Sequence, residues 1–351
     1  MNPQIHNLKT VFLHVTHKCN LKCRHCYLDP DSTNQFELPK EEIFKLIKDF
    51  KKIKIKKIFL DGGEPFLRKD FLEIASYIKG CNIKVSTSTN GKIIDRVILN
   101  EVRDKIDTLN FSLDGYCAST HDYIRNSPGL FNRVIRNIRI SVNLGIRLAV
   151  TCVVNRYNVK EAPDFINLSL KLGVKMIRFN YFTAFGRGIG FSRFALTAQE
   201  WMQLVNFLKE KQRRLAKRGV KIIYSPVFIE ASKINHYKRP FCNLYRRERC
   251  YIDTSGEVYF CPLFFNETGF SLGNVLREGF SSIWNNSKNW QSLIKCNEAN
   301  ECQSCRYFKN CRSGCLAYRF LKAGSSRVKD PRCEIPLVPV CSFIKRLSPS
   351  P

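Results

Sequence analysis

The sequence predicts an α/β protein in two parts: an open, partial (β/α)6 TIM-like barrel, then a small cysteine-rich domain. Three observations carry that prediction. From Thr10 to about Tyr224, short β-branched runs alternate with amphipathic helical stretches, as βα units around a parallel sheet do. Four of the predicted strands lead directly into polar or cysteine-bearing segments. Beyond Tyr224 the periodicity is lost and cysteine density rises.

The strand-like runs are residues 10–15, 57–61, 84–89, 108–113, 147–154 and 175–180, and a run at 221–224 fits a seventh. Between them lie helical patterns such as 39–52, with Ile43, Phe44, Ile47 and Phe50 on one face, and 131–144. Ligands of such sheets bind where loops leave the C-terminal strand ends. There Val15 is followed by cysteines, Asp61 by Gly62-Gly63-Glu64-Pro65, Thr89 by Asn90-Gly91 and Leu113 by Asp114-Gly115. The expected organisation is a barrel over 8–225, a linker over 225–239, a domain over 240–343 organised by metal rather than by an apolar core, and a flexible tail over 344–351.

A length of 351 residues with 44% apolar content suits a well-buried core and excludes a disordered or fibrous chain. No apolar run approaches the roughly 18 residues that span a bilayer, and residues 1–9 lack the apolar stretch of a signal peptide. The expected compartment is the cytoplasm. There sixteen cysteines read as metal ligands rather than disulfides. Lys and Arg outnumber Asp and Glu 58 to 30, a net charge of +28, which would attract nucleic acid, an acidic peptide or a polycarboxylate. Much of that charge is spread along helical stretches such as 40–57 and 209–221, the pattern of a solvated face.

Cys19, Cys23 and Cys26 form a CxxxCxxC triad straight after the first strand. A [4Fe–4S] cubane normally takes four thiolates, so three in one loop leave one iron open to another ligand; a zinc site is the alternative and prefers four ligands. His25 lies between two of the cysteines and is expected beside the site rather than as a ligand. The spacing, its position after strand one and Tyr27 behind the last cysteine resemble the radical S-adenosylmethionine (SAM) enzymes. In that family the open iron is chelated by SAM.

The resemblance extends along the chain. Gly62, Gly63, Glu64 and Pro65 are similar to the family's GGEP segment, which contacts the SAM amino group, and two glycines permit close backbone approach. Asn90 matches a position near the ribose hydroxyls, which an amide can bind as donor and acceptor. Ser112 and Asp114 match the fourth-strand segment, and Arg125 resembles an arginine that pairs with the SAM carboxylate. Val153 and Val154 would flank the adenine or serve the core.

Cys302, Cys305, Cys311, Cys315 and Cys333, with Cys242 and Cys261 upstream, resemble the SPASM subfamily, and Cys250 supplies an eighth thiolate. The family's crossed connectivity implies one auxiliary cluster on Cys242, Cys250, Cys261 and Cys315 and a second on Cys302, Cys305, Cys311 and Cys333. Thiolate spacing alone leaves a two-zinc ribbon open. Cys81, Cys117, Cys152, Cys296 and Cys341 are expected as packed thiols.

The resemblance therefore implies three [4Fe–4S] clusters, SAM as co-substrate, and reductive cleavage to a 5′-deoxyadenosyl radical that abstracts hydrogen from substrate. The electron would come from a low-potential donor such as ferredoxin or flavodoxin. The substrate is expected to be a peptide or an acidic cofactor precursor such as a tetrapyrrole. A start directly at strand one argues against a leader-peptide-binding domain, Arg187 in Gly186-Arg187-Gly188 is a candidate for substrate carboxylates, and Pro262 after Cys261 departs from the sulfatase-activating pattern. Two other classes compete: a non-catalytic iron–sulfur electron carrier, which would not bind SAM, and a zinc-containing nucleic-acid-binding protein, which would bind with steep salt dependence.

Overall fold

A computed structural model of the chain describes residues 7–28, 36–234, 237, 240–265, 267–296 and 299–340. Among these, seven parallel strands pair in chain order: β1 (Thr10–Thr16), β2 (Lys57–Gly62), β3 (Lys84–Thr89), β4 (Thr108–Ser112), β5 (Leu148–Val154), β6 (Met176–Tyr181) and β7 (Lys221–Tyr224). The seventh run is thus a full member of the sheet. The connecting helices are α1 (Lys40–Lys52), α2 (Phe71–Gly80), α3 (Arg96–Lys105), α4 (Ala118–Arg125), α5 (Leu130–Asn143), α6 (Ala162–Lys171) and α7 (Ala198–Ala216).

Apolar periodicity makes these helices. α1 buries Ile43, Leu46, Ile47 and Phe50, the spacing of one helical stripe. α7 starts at a capping box, in which the Thr197 side chain accepts from Glu200 N and the Glu200 side chain accepts from Thr197 N. In the strands, Val11, Leu13 and Val15 of β1 are buried against the helices together with Ile58 and Leu60 of β2, so the alternate residues, His14 and Asp61 among them, line the concave face.

The sheet does not end at β1. After β8 (Phe228–Glu230), β9 (Arg249–Ile252) pairs parallel with β1, and β10 (Val258–Tyr259) pairs antiparallel with β9. The order is β10-β9-β1-β2-β3-β4-β5-β6-β7, with unjoined edges at β10 and β7, so the barrel is open. A short β11 (Leu337–Pro339) pairs with β8. Tyr251 of β9 stacks on Phe12 at 4.8 Å and Phe12 on Phe59 at 5.3 Å, carrying one aromatic row from β9 across β1 to β2.

One expectation needs correcting. The C-terminal region has an apolar core of its own making: Val258, Phe260, Phe264, Leu272, Phe280, Ile283, Trp284 and Trp290 are buried and continuous with the barrel core. These residues sit in short elements and loops without helical or strand periodicity, so pattern reading passes over them. The stretch 225–239, expected as a linker, contains β8 and the short helix Ala231–Ile234. The tail over 344–351 and Cys341 lie outside the described residues.

Candidate active site

Parallel pairing places the C-terminal ends of β1 to β7 along one edge, and the polar segments singled out above meet there. Gly63 N donates to Thr16 O at 3.0 Å and Glu64 N to Lys18 O at 2.8 Å, lacing the turn after β2 to the loop that carries Cys19. The glycines are sterically required. A Cβ on Gly62 would lie 2.3 Å from Thr16 O, and one on Gly63 2.4 Å from Lys18 O.

Glu64 is fully buried. Its carboxylate accepts from Asn90 N at 2.7 Å, Thr89 Oγ1 at 3.0 Å and Phe66 N at 3.4 Å; burial pushes it up to about 7 despite these donors. It therefore ties β2 to β3, with one lone pair on Oε2 still available. Asn90 Nδ2 donates to Asn20 Oδ1 at 2.8 Å and lies 3.9 Å from Cys19 Sγ.

A second set of ties reaches Cys23. Asp114, wholly buried after β4, ion-pairs Arg125 Nε at 2.5 Å, its Oδ2 lies within hydrogen-bond distance of His25 Nε2 at 2.8 Å, and its Oδ1 accepts from Val153 N at 2.8 Å. Burial opposes ionisation of Asp114, but the charge of Arg125 and then His25 hold the carboxyl well below its usual range. Arg125 Nη1 in turn donates to Cys23 Sγ at 3.7 Å. Asp114 N donates to His121 Nδ1 at 3.0 Å, and burial, then Arg125, lowers that imidazole to about 3. The two residues expected as separate SAM contacts are thus partners of one another. Ser112 ends β4, partly exposed, in register with Thr151.

Cys26 is held from another direction. Gly188 N donates to Cys26 O at 2.8 Å, and a Cβ on Gly186 would lie 2.5 Å from Tyr27 O. The Gly186-Arg187-Gly188 segment is therefore a cradle for the cysteine loop, with the Arg187 charge close enough to act on the Cys26 thiol. Burial, then Cys23, pushes that thiol up to about 11. Tyr27 is raised well above its ordinary value by burial, and then by Asp61, Cys26, Tyr251 and Cys261, so its hydroxyl lies within electrostatic reach of both Cys26 and Cys261.

Cys242, Cys250, Cys261 and Cys315 are all buried. The Asn243 side chain gathers the segments bearing the first three: Nδ2 donates to Arg249 O at 2.7 Å and Phe260 O at 2.8 Å. Cys315 opens the helix Leu316–Ala323, its N donating to Asp330 Oδ2 at 2.8 Å. Cys302, Cys305, Cys311 and Cys333 line one cavity of about 30 Å³ whose wall includes Asp330. Burial, then Cys333 and Cys302 among its neighbours, pushes the Cys311 thiol up to about 12.

These sets suit iron–sulfur ligation. Asn20 Nδ2 and His25 Nδ1, each beside a cysteine, are buried without a hydrogen-bond partner, and buried polar atoms are normally satisfied. No three described His, Cys, Asp or Glu side chains converge as ligands of a single ion; thiolates of a cubane need not, since each binds a different iron.

The model of the radical SAM superfamily matches residues 13–169, and that of the SPASM iron–sulfur cluster-binding domain matches 242–312. The chain is a radical SAM enzyme of the SPASM type. It is 28% identical over 330 residues to the mycofactocin maturase MftC of Mycobacterium tuberculosis, covering 91% of this chain and 81% of that one. It is 27% identical to the Fe-coproporphyrin III synthase of Methanosarcina barkeri, covering 93% and 87%. In fold it is similar to SuiB of Streptococcus suis, with TM-score 0.77 at 13% identity over 94% of this chain and 78% of that one. It is also similar to anSMEcpe with bound AdoMet, with TM-score 0.67 at 18% identity over 92% and 90%. The radical SAM match takes in the CxxxCxxC triad, and the SPASM match takes in six of the eight C-terminal cysteines, ending before Cys315 and Cys333.

The structure adds residues to this strand-end cluster that sequence reasoning missed or left aside: Asn20, His25, His121 and Asp61. Asp61, next to last in β2, lies on the concave face, where burial pushes its carboxyl up to about 7 against a backbone donor at Gly62. An aspartate directly before a Gly-Gly pair at a strand end was the available signal.

Proposed function

We propose that Cys19, Cys23 and Cys26 hold a SAM-binding [4Fe–4S] cluster, and that the two C-terminal sets hold two auxiliary [4Fe–4S] clusters, three in all. The observation that carries this reading is the convergence of Glu64, Asn90, Asp114 and Arg125 on the cysteine triad from the ends of separate strands and α4. Held by these three thiolates, such a cluster would supply the electron for reductive cleavage of SAM into methionine and a 5′-deoxyadenosyl radical. Gly62 and Gly63 leave the backbone bare where SAM would lie, while Pro65 starts the turn that fixes the Glu64 carboxylate. Arg125 neutralises charge at Cys23 and is itself fixed by Asp114. Residues 8–225 then form the SAM-cleaving unit and 240–343 the auxiliary-cluster unit, joined through β9.

The substrate we infer is a peptide. MftC is named a maturase, and a SuiB structure carries its precursor peptide SuiA. An acidic tetrapyrrole is the second reading, favoured by likeness to the Fe-coproporphyrin III synthase and to the AdoMet-dependent heme synthase of Oleidesulfovibrio alaskensis, 25% identical over 91% of this chain and 85% of that one. A low-potential ferredoxin or flavodoxin would deliver the electron, and no described helix is long and apolar enough to cross a membrane.

Two variants test the division of labour. Cys23→Ala is expected to abolish 5′-deoxyadenosine formation. Cys305→Ala is expected to retain part of it while losing turnover of substrate. Equal 5′-deoxyadenosine from wild type and Cys23→Ala would overturn the assignment.

A further inference from the structure

The edge of the sheet opposite the cysteines carries a second concentration of charge. Lys57 begins β2, Lys84 begins β3, Arg147 immediately precedes β5 and Lys221 begins β7. Parallel pairing in chain order brings these starts to one mouth of the open barrel, where they line a cavity of about 320 Å³ together with Arg178 and Asp107. Asp107 is the one carboxylate among the described lining residues. Its Oδ1 already accepts from Lys79 Nζ at 2.8 Å and its Oδ2 from Val85 N at 2.7 Å. Five cations therefore surround one space, and the single acid in its described wall is already engaged by Lys79 and the backbone.

Two polar atoms of the wall are also unsatisfied. Arg178, on the concave face of β6, reaches Met176 Sδ at 3.5 Å through Nη2, but its buried Nε has no hydrogen-bond partner. Ser86, on β3 and 1% exposed, has a hydroxyl with no partner. Buried polar groups are rarely left so, and five cations around one cleft, three of them (Lys84, Arg147 and Lys221) at its exposed rim, repel one another weakly while focusing a positive potential on it. Both costs fall when an oxyanion enters, because guanidinium and hydroxyl donors match its oxygens.

We propose that this mouth is a binding site for a small molecule bearing two or more oxyanion groups, distinct from the SAM site at the other strand ends. A chain of this fold normally keeps stability residues at that end, and a stabilising role alone would not call for five cations gathered around a cavity large enough for a ligand. Phosphates and carboxylates share the required chemistry, and the test separates them.

The anaerobically reconstituted full chain is titrated calorimetrically with sodium diphosphate and, separately, with sodium citrate at matched ionic strength. One saturable site per chain is expected, and the tighter of the two anions identifies the source. Arg178→Met is expected to weaken binding by about tenfold or more, and Arg147→Gln, at an exposed position, by severalfold. Lys209→Gln, at an exposed position of α7, is expected to leave it unchanged. Arg147→Gln keeps the test informative if Arg178→Met fails to fold. Absence of saturable binding to either anion, or equal weakening in Lys209→Gln and Arg147→Gln, would overturn the proposal.

Discussion

Taking away the Arg125 guanidinium would remove both a cation and an N–H donor from Cys23 Sγ. Donors to a cluster thiolate stabilise the reduced, more negative form. Arg125→Met is therefore expected to lower the midpoint potential of the first cluster by on the order of 50 mV, the equivalent of about 1 kcal/mol for one contact. Arg125→Lys should recover part of the change. Redox titration followed by electron paramagnetic resonance reads both, and an unchanged potential in Arg125→Met would place that residue outside the cluster's influence. Asp61 yields a pH prediction. Its folded carboxyl is raised to about 7 against about 3.9 in an unfolded chain. Its contribution to stability is whole below pH about 4 and is lost as pH rises through 7. Asp61→Asn should thus match wild type near pH 4 and be the more stable protein at pH 8, by on the order of 1 kcal/mol or more. Thermal unfolding at several pH values checks this, and a gap that does not widen with pH would contradict it. At this scale the sequence displayed the cysteines, Gly62 to Pro65, Asn90 and Asp114, because each sits at a strand end or in a fixed spacing, and Arg125 only through the family resemblance. That Asp114 pairs with Arg125 was not legible, since α4 folds back on the end of β4 only through the tertiary turn between them.

The seven parallel strands and the helices between them were legible because period and burial agree: a strand buried on one side by helices must alternate, and α1 must carry its apolar stripe. Boundaries moved by a residue where pairing, not pattern, ends the strand, as when β6 runs on to Tyr181. Elements held by single polar residues were not legible. Asp330 is the example: buried, it accepts from Cys315 N, ion-pairs Arg332 Nη2 at 2.7 Å, and its own carbonyl accepts from Cys333 N at 2.9 Å. It thus connects a cysteine of each of the two C-terminal sets proposed above, and the Arg332 guanidinium stacks 3.5 Å from the Tyr318 ring centroid. Asp330→Ala leaves a buried guanidinium without its counter-charge, for which a loss of about 3–5 kcal/mol is expected. Denaturant unfolding measures it, and a change below about 1 kcal/mol would show that solvent reaches Arg332.

Across the whole molecule, the C-terminal cysteine region is continuous with the SAM-cleaving barrel in both sheet and core. β9 extends the sheet beyond β1, Tyr251 joins the aromatic row of Phe12 and Phe59, and the Tyr27 hydroxyl is within electrostatic reach of both Cys26 and Cys261. Sequence reading saw two parts because periodicity stops at Tyr224; the joining strand is four residues long and carries a cysteine in place of a β-branched pattern. One consequence is that loss of the C-terminal clusters we propose should be felt at the first triad through β9 and the shared core. The most direct test of a three-cluster, SAM-cleaving enzyme is iron content together with 5′-deoxyadenosine formation, after anaerobic reconstitution with iron and sulfide and addition of SAM and dithionite. Three cubanes predict about twelve irons per chain with 5′-deoxyadenosine released. Bound zinc, or iron–sulfur clusters that leave SAM intact, would contradict it.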